Sequence, residues 1–222
     1  MILIILVSIL TNKSVNTIHD LTDVNVRTCV VIDAGHGGID GGAVSCTGVS
    51  ESEINLNIAL RLNDLMHLLG IETKMIRETD MSVHTKGETI AAKKVSDLKN
   101  RVSITNRTSK AILISIHQNY FPDQKYAGAQ VFYADPTISK ILGISMQNAL
   151  VTALNPASNR KAKQTDNIYL LKNIINPGIL IECGFLSNPQ EEAKLRDPQY
   201  QKLLCAAIGS EISRYISNTY AA

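Results

Sequence analysis

Between residues 29 and 222, short apolar runs alternate with amphipathic stretches, which is the pattern of an α/β domain built on a mostly parallel sheet. Strands are predicted at 29–33, 72–77, 111–117, 130–133, 168–171 and 179–182. Three of these, VVID (30–33), ILISI (112–116) and ILIE (179–182), are nearly unbroken apolar runs. Such runs suit central strands covered on both faces, where no solvent side demands alternation. Helices are predicted from Ser50, over 97–107, over 138–154 and over 200–215. Ser50 and Glu53 have the spacing of a capping box, the apolar set Ile54, Ile58, Leu62, Leu65 and Leu69 follows, and Gly70 supplies the stop. The last helix carries Leu203, Leu204, Ala207, Ile208, Ile212 and Tyr215 on one broad face. The polar stretches 81–96 and 155–167 read as loops. The fold expected is a single α/β domain, with a twisted sheet of about six strands flanked by helices on both faces.

The 222 residues are enough for one domain at 29–222 and a short segment before it. Residues 1–28 read as an apolar signal- or anchor-like run (1–10) with a polar connector. The run is half the ~20 residues needed to span a bilayer. No Lys or Arg precedes it and no small-residue cleavage site follows, but export is the expectation. Lys plus Arg is 22 against 20 for Asp plus Glu, so the net charge of +2 makes no case for nucleic-acid binding. The four cysteines, Cys29, Cys46, Cys183 and Cys205, form no C-x-x-C pair and no disulfide framework. With no Trp and 5% aromatics, a large sugar-stacking platform is not expected.

Candidate chemistry gathers at strand ends. Asp33-Ala-Gly-His36-Gly-Gly follows the first strand, His117-Gln-Asn119 ends the third, and Glu182-Cys-Gly-Phe ends the last. Ligands of open α/β sheets bind outside the carboxyl ends of strands, so these residues share one edge. The glycines do not spell a dinucleotide or phosphate loop: the position that G-x-G-x-x-G requires as Gly is Asp40, and no G-K-[ST] follows. They would let the backbone turn tightly around His36. Two histidines with a carboxylate make a known catalytic zinc set. Local sequence leaves that carboxylate open among Glu51, Asp33, Asp40, Glu182 and Glu53, the last compromised by its place in the capping box. Glu182, closing an apolar strand, is either a general base on a zinc-activated water or the salt-bridge partner of Arg77 or Arg101. Cys183, on the opposite face of its strand, reads as packing, as do Cys29 and Cys205. Asn119, Asn188, Arg101 and Lys172 are weaker candidates for contacts to a substrate. Arg160, Lys161 and Lys163 read as a solvated basic loop.

The segments IDAGHGGIDGGA (32–43), ESEINLNIAL (51–60), ISIHQN (114–119) and ILIECGFLSNPQE (179–191) together resemble the zinc-dependent N-acetylmuramoyl-L-alanine amidases that act on bacterial peptidoglycan. The resemblance implies zinc on His36, Glu51 and His117, with Glu182 as catalytic base, and hydrolysis of the amide between the muramic lactyl group and L-alanine. GAQVFY (128–133), NRKAK (159–163) and IYLLK (168–172) are similar to the germination-type spore-cortex members, which implies a step before muramic lactam formation. Peptidoglycan is the implied partner, on the wall-facing side of a membrane, in the forespore intermembrane space or cortex. Membrane association through the N-terminal segment and an accessory or activating protein stay open. The rival readings are another peptidoglycan zinc hydrolase, a carboxypeptidase or deacetylase, and an inactive wall-binding protein.

Overall fold

A computed structural model describes residues 28–220. The apolar run at 1–10 and most of its connector lie outside the described residues. Among the described residues no helix is long and apolar enough to cross a membrane.

In chain order the elements are β1 (Cys29–Ala34), α1 (Glu51–Leu68), β2 (Glu72–Met75), α2 (Ile90–Arg107), β3 (Ala111–Asn119), β4 (Gln130–Tyr133), α3 (Lys140–Leu154), β5 (Lys163–Gln164), α4 (Tyr169–Asn173), β6 (Gly178–Phe185), α5 (Pro189–Arg196) and α6 (Pro198–Tyr220). One six-stranded sheet runs in the order β2-β1-β3-β6-β4-β5. The first four strands of that order are parallel, β4 is antiparallel to β6, and β5 is parallel to β4. The three continuous apolar runs are the central strands β1, β3 and β6, buried along almost their whole length. Alternation within them feeds two cores. Ile32, Ile114 and Ile181 join Ile58 and Leu62 of α1, Leu142 and Met146 of α3, and Ile208 of α6. Val31, Leu113 and Leu180 face the other way, toward Leu170 and Leu171 of α4 and the partly buried Val102 and Ile104 of α2. Helices therefore cover both faces. The chain leaves β1 toward β2 on one side and returns to β3 on the other, so the crevice outside the carboxyl ends of β1 and β3 is a topological switch point.

Several expectations are corrected. The run Ile168–Leu171 is not a strand: Tyr169–Asn173 is a short helix. Four apolar residues are too few for periodicity to separate the two, and here both Leu170 and Leu171 are buried against the second core. The sixth strand is instead the two-residue edge strand β5, inside the stretch read as a loop. Helix α2 begins at Ile90, seven residues before the expected start, because Thr89 caps it by accepting from the Ala92 N–H at 3.1 Å. The capping box at Ser50 does not form. The first N–H groups of α1 are taken by the preceding loop, Glu51 N to Ala43 O at 2.8 Å and Ser52 N to Gly41 O at 3.0 Å. That answers the need for acceptors at a helix start with backbone in place of a side chain. Gly70 does end α1, with its N–H on His67 O and that of Ile71 on Met66 O. On α6, Leu204, Ile208 and Ile212 are buried, whereas Leu203 is 62% exposed.

Candidate metal centre and catalytic edge

The turn after β1 folds back on itself. Gly37 and Asp40 exchange backbone hydrogen bonds, 2.8 Å from Gly37 N to Asp40 O and 3.2 Å in return. Left-handed backbone occurs at Gly38 (φ 59°) and at His36 itself, whose φ is 61°. Such a conformation is costly for a residue with a Cβ and persists only where its surroundings hold it. Here two buried arginines do so. Arg101 donates to His36 O at 2.7 Å and to Ala34 O at 3.0 Å. Arg77 donates to Ala34 O at 2.8 Å, to Gly35 O at 3.0 Å and, across to α1, to Ser52 O at 2.8 Å. Beneath them Arg101 is paired with Asp33 and Asp97, and Ser115 donates to Asp33 at 2.6 Å. The Arg101 and His117 charges, with the Ser115 hydroxyl, hold the Asp33 carboxyl below its ordinary range against the opposing effect of full burial.

His36, Glu51 and His117 offer one ligand atom each, all within 4.8 Å of one another. His36 Nε2 lies 3.2 Å from Glu51 Oε2 and His117 Nδ1 lies 3.0 Å from Glu51 Oε1, so the carboxylate bridges the two rings. The rings meet edge to face at 5.0 Å. The remaining nitrogen of His36, Nδ1, donates to Asp40 at 3.0 Å, and Lys94 pairs with Asp40 at 2.8 Å. Glu51 is further held by the N–H groups of Ala43 (3.0 Å) and Gln118 (3.1 Å) and by Asn55 Nδ2 (3.2 Å). Burial would raise its pKa, but the His117 and His36 imidazoles drive it far below the usual carboxylate range. The reciprocal effect lifts His36 to about 9 despite its own burial.

Glycines make room for this cluster. A Cβ on Gly35 would overlap the His117 imidazole, and one on Gly42, at φ +70°, would stand 2.8 Å from the His36 ring and against the Glu51 carboxylate. Two imidazoles and a carboxylate, converging in a cradle that any Cβ would fill, are the donor set of a catalytic zinc site, and an outer carboxylate orienting a ligand histidine is its usual support. These residues fit a divalent metal.

Glu182 stands beside them. It is level with His117 in the parallel register of β3 and β6, so both side chains leave the same face of the sheet. Its Oε2 is buried with no hydrogen-bond partner, one of three such side-chain atoms among the described residues. The salt-bridge alternative fails, since Arg77 and Arg101 spend their donors elsewhere. Burial pushes the Glu182 carboxyl up to about 7, opposed by the His117 charge and reinforced by that of Glu51.

The other candidates fall away from the cluster. Asp33 is bound to Arg101, Asp40 supports His36, and Glu53 is exposed. Asn188 caps α5, accepting from Gln190 N at 2.9 Å. Lys172 is exposed on α4. The Cys183 thiol is fully buried and its pKa is pushed well up by that burial, which leaves it inert; Cys29 and Cys205 are buried too. Three supports were not anticipated: Asp40 as partner of His36, and Gln118 and Asn55 as partners of Glu51. Asn55 carried a signal, being a polar residue one helical turn from Glu51 on the face of Ile58 and Leu62.

An α/β sheet that carries a two-histidine, one-carboxylate donor cluster and an unpaired buried carboxylate at its switch point has the arrangement expected of a hydrolase. The Amidase_3 family, described as N-acetylmuramoyl-L-alanine amidase, matches residues 30–214. The chain belongs to that family. It is 36% identical over 194 residues to the germination-specific N-acetylmuramoyl-L-alanine amidase of Bacillus subtilis, covering 85% of this chain and 79% of that protein. Its fold matches that of the CwlD amidase from Clostridioides difficile, solved in complex with the GerS lipoprotein, with TM-score 0.82 and 40% identity over 86% of this chain and 98% of that one. An N-acetylmuramoyl-L-alanine amidase from Clostridium difficile 630 matches with TM-score 0.74 and 30% identity over 86% and 97%.

Proposed function

We propose that the chain is a zinc-dependent N-acetylmuramoyl-L-alanine amidase, cutting the amide between the muramic lactyl group and L-alanine during spore-cortex maturation. The observation that carries the chemistry is the buried, unpartnered Oε2 of Glu182 beside the His36–Glu51–His117 cluster. His36, Glu51 and His117 would hold the metal. When bound, zinc supplies a Lewis acid that polarises a carbonyl and lowers the pKa of water to ~7. Glu182 takes the water proton and delivers it to the leaving L-alanine nitrogen, a task suited to a carboxylate whose pKa lies near neutrality. Its lack of a protein partner leaves Oε2 free for that exchange. Asp40 fixes the His36 tautomer, so that Nε2 faces Glu51. No covalent intermediate is required, in keeping with the inert Cys183.

The match to the germination-specific relative supports the cortex assignment, with loss of the stem peptide preparing muramic acid for lactam closure. That setting lies on the wall side of a membrane, in the forespore intermembrane space or cortex. The family match over 30–214 supports 29–222 as the catalytic domain, and the apolar run at 1–10 suits 1–28 to a signal- or anchor-like segment with its connector. The complex of a similar amidase with a lipoprotein supports an accessory protein here also. The test is mass spectrometry of cortex muropeptides after digestion by the purified protein, with and without chelator. New free amino groups on L-alanine, abolished by chelation, are expected. Release of a terminal amino acid or of acetate would move the protein to a carboxypeptidase or deacetylase.

A further inference from the structure

The chain has seven tyrosines and three phenylalanines, yet several of them gather just beyond the catalytic edge. Asn119, two residues past His117, pairs with Phe185, three residues past Glu182, across a register shift. From there Phe185, Tyr126 and Phe121 form a ladder, with Tyr126 stacked on Phe185 at 6.1 Å and Phe121 edge-on to Tyr126 at 4.9 Å. Tyr120 adjoins it in sequence. Its outer rungs Phe121 and Tyr126 are 48% and 39% exposed, and the neighbouring Tyr120 is 52% exposed. The loop that bears them is anchored. Phe121 N–H reaches Ser187 Oγ at 3.2 Å, and Asn188 donates to Gln124 O at 2.8 Å and Tyr126 O at 3.2 Å. Below, the Arg160 guanidinium lies 5.0 Å from the Phe185 ring centre and is itself tied to Ala127 O at 2.9 Å. The expected solvated basic loop thus has one member, Arg160, built into the ladder, and the low aromatic content hides a local concentration.

We propose that Tyr120 and Phe121 form a glycan subsite, receiving the C–H face of a pyranose next to the muramic acid whose amide is cut. This rests on the amidase reading. A pyranose has an apolar face and a polar rim, which suits half-exposed rings with the Lys125 and Arg160 cations close by. Size selects the occupant. At 150–250 Å² per aromatic side chain, the exposed part of these three rings sums to roughly 300 Å², far short of the ~800 Å² per partner that a specific protein interface buries. One or two sugar rings fill that area.

The test is calorimetric titration of the full chain with soluble glycan oligosaccharides stripped of stem peptides, which lack the scissile amide and are not consumed. The wild type is expected to bind, and the double variant Tyr120→Ala with Phe121→Ala to bind about tenfold more weakly. Tyr120→Phe with Phe121→Tyr keeps both rings and is expected to retain affinity, as is Ile141→Ala, an exposed truncation on α3. Undiminished binding by the alanine pair overturns the subsite and turns the patch toward an accessory protein. So does equal loss in both pairs, which would mark the loop's fold and not stacking, or no binding by the wild type. Failure of the amidase reading is scored separately, by the absence of new L-alanine amino groups from intact peptidoglycan.

Discussion

Arg101 is where stability and the catalytic edge meet, and Arg101→Met perturbs both. The guanidinium is 3% exposed and the Asp33 carboxylate 1%. The substitution removes the hydrogen bonds to Asp97, Asp33, Ala34 O and His36 O. It leaves the Asp33 carboxylate buried with the Ser115 hydroxyl as its remaining side-chain donor. Breaking one side of a buried pair costs about 3–5 kcal/mol, because the abandoned charge stays in a poor dielectric. For a domain of this size, each kcal/mol lowers Tm by about 2–4 °C, so a drop on the order of 10 °C is expected. Asp33→Asn keeps Arg101 paired with Asp97 and costs ~1–3 kcal/mol, the usual loss for a compromised buried hydrogen bond. With both changed, no bare charge remains at Asp33, and the double variant should be more stable than additivity predicts by about 1–3 kcal/mol. Urea unfolding in chelator, which removes any metal contribution, measures all four corners of the cycle. Because the Asp33 pKa is depressed in the folded state, the stability it contributes is present above the ordinary carboxylate range and lost as pH falls through the folded value. That acid loss should be blunted in Asp33→Asn. Additivity within about 0.5 kcal/mol would refute the view that the pair acts as one unit under the His36 turn.

The remaining predictions concern the site directly. Glu182→Gln should cut turnover on purified peptidoglycan by about 10²–10⁴-fold while bound zinc, measured by elemental analysis, is unchanged; near-full turnover would remove Glu182 from the mechanism. Because the base must be ionised, wild-type kcat/KM should decline as pH falls through about 7 or below, with a bound cation moving that limb downward. His36→Ala and His117→Ala should each lose metal and activity together, with zinc unable to restore either. Gly35→Ala should displace the His117 ring, costing about 1–3 kcal/mol of overpacking and weakening zinc in chelator competition; wild-type zinc affinity would contradict the cradle.

The parts of this fold legible in sequence are those that local chemistry decides. VVID, ILISI and ILIE were legible as buried strands because β-branched Val and Ile fill most of the apolar positions in each run, and the polar residues Asp33, His117 and Glu182 at their ends then had to lie at one edge. IYLLK was illegible for the converse reason: a four-residue apolar run satisfies a helix turn or a strand equally, and only its neighbours on α2 and β6 choose. The capping-box reading at Ser50 was sound as local chemistry and lost to a tertiary solution, since the loop carbonyls of Gly41 and Ala43 reach the helix start first.

The same division explains the site. His36 and His117 were visible as strand-end histidines, whereas the carboxylate was not, because what distinguishes Glu51 from Asp33 and Asp40 is assembled from afar. Asp33 is neutralised by Arg101, 68 residues away, and Glu51 is gripped by the N–H of Gln118, 67 residues away. Arg77 and Arg101 also looked like natural partners for Glu182. Their donors are drawn instead to the carbonyls of the turn that carries His36, where a left-handed backbone needs holding. Neither therefore pairs with Glu182, whose Oε2 has no hydrogen-bond partner among the described residues.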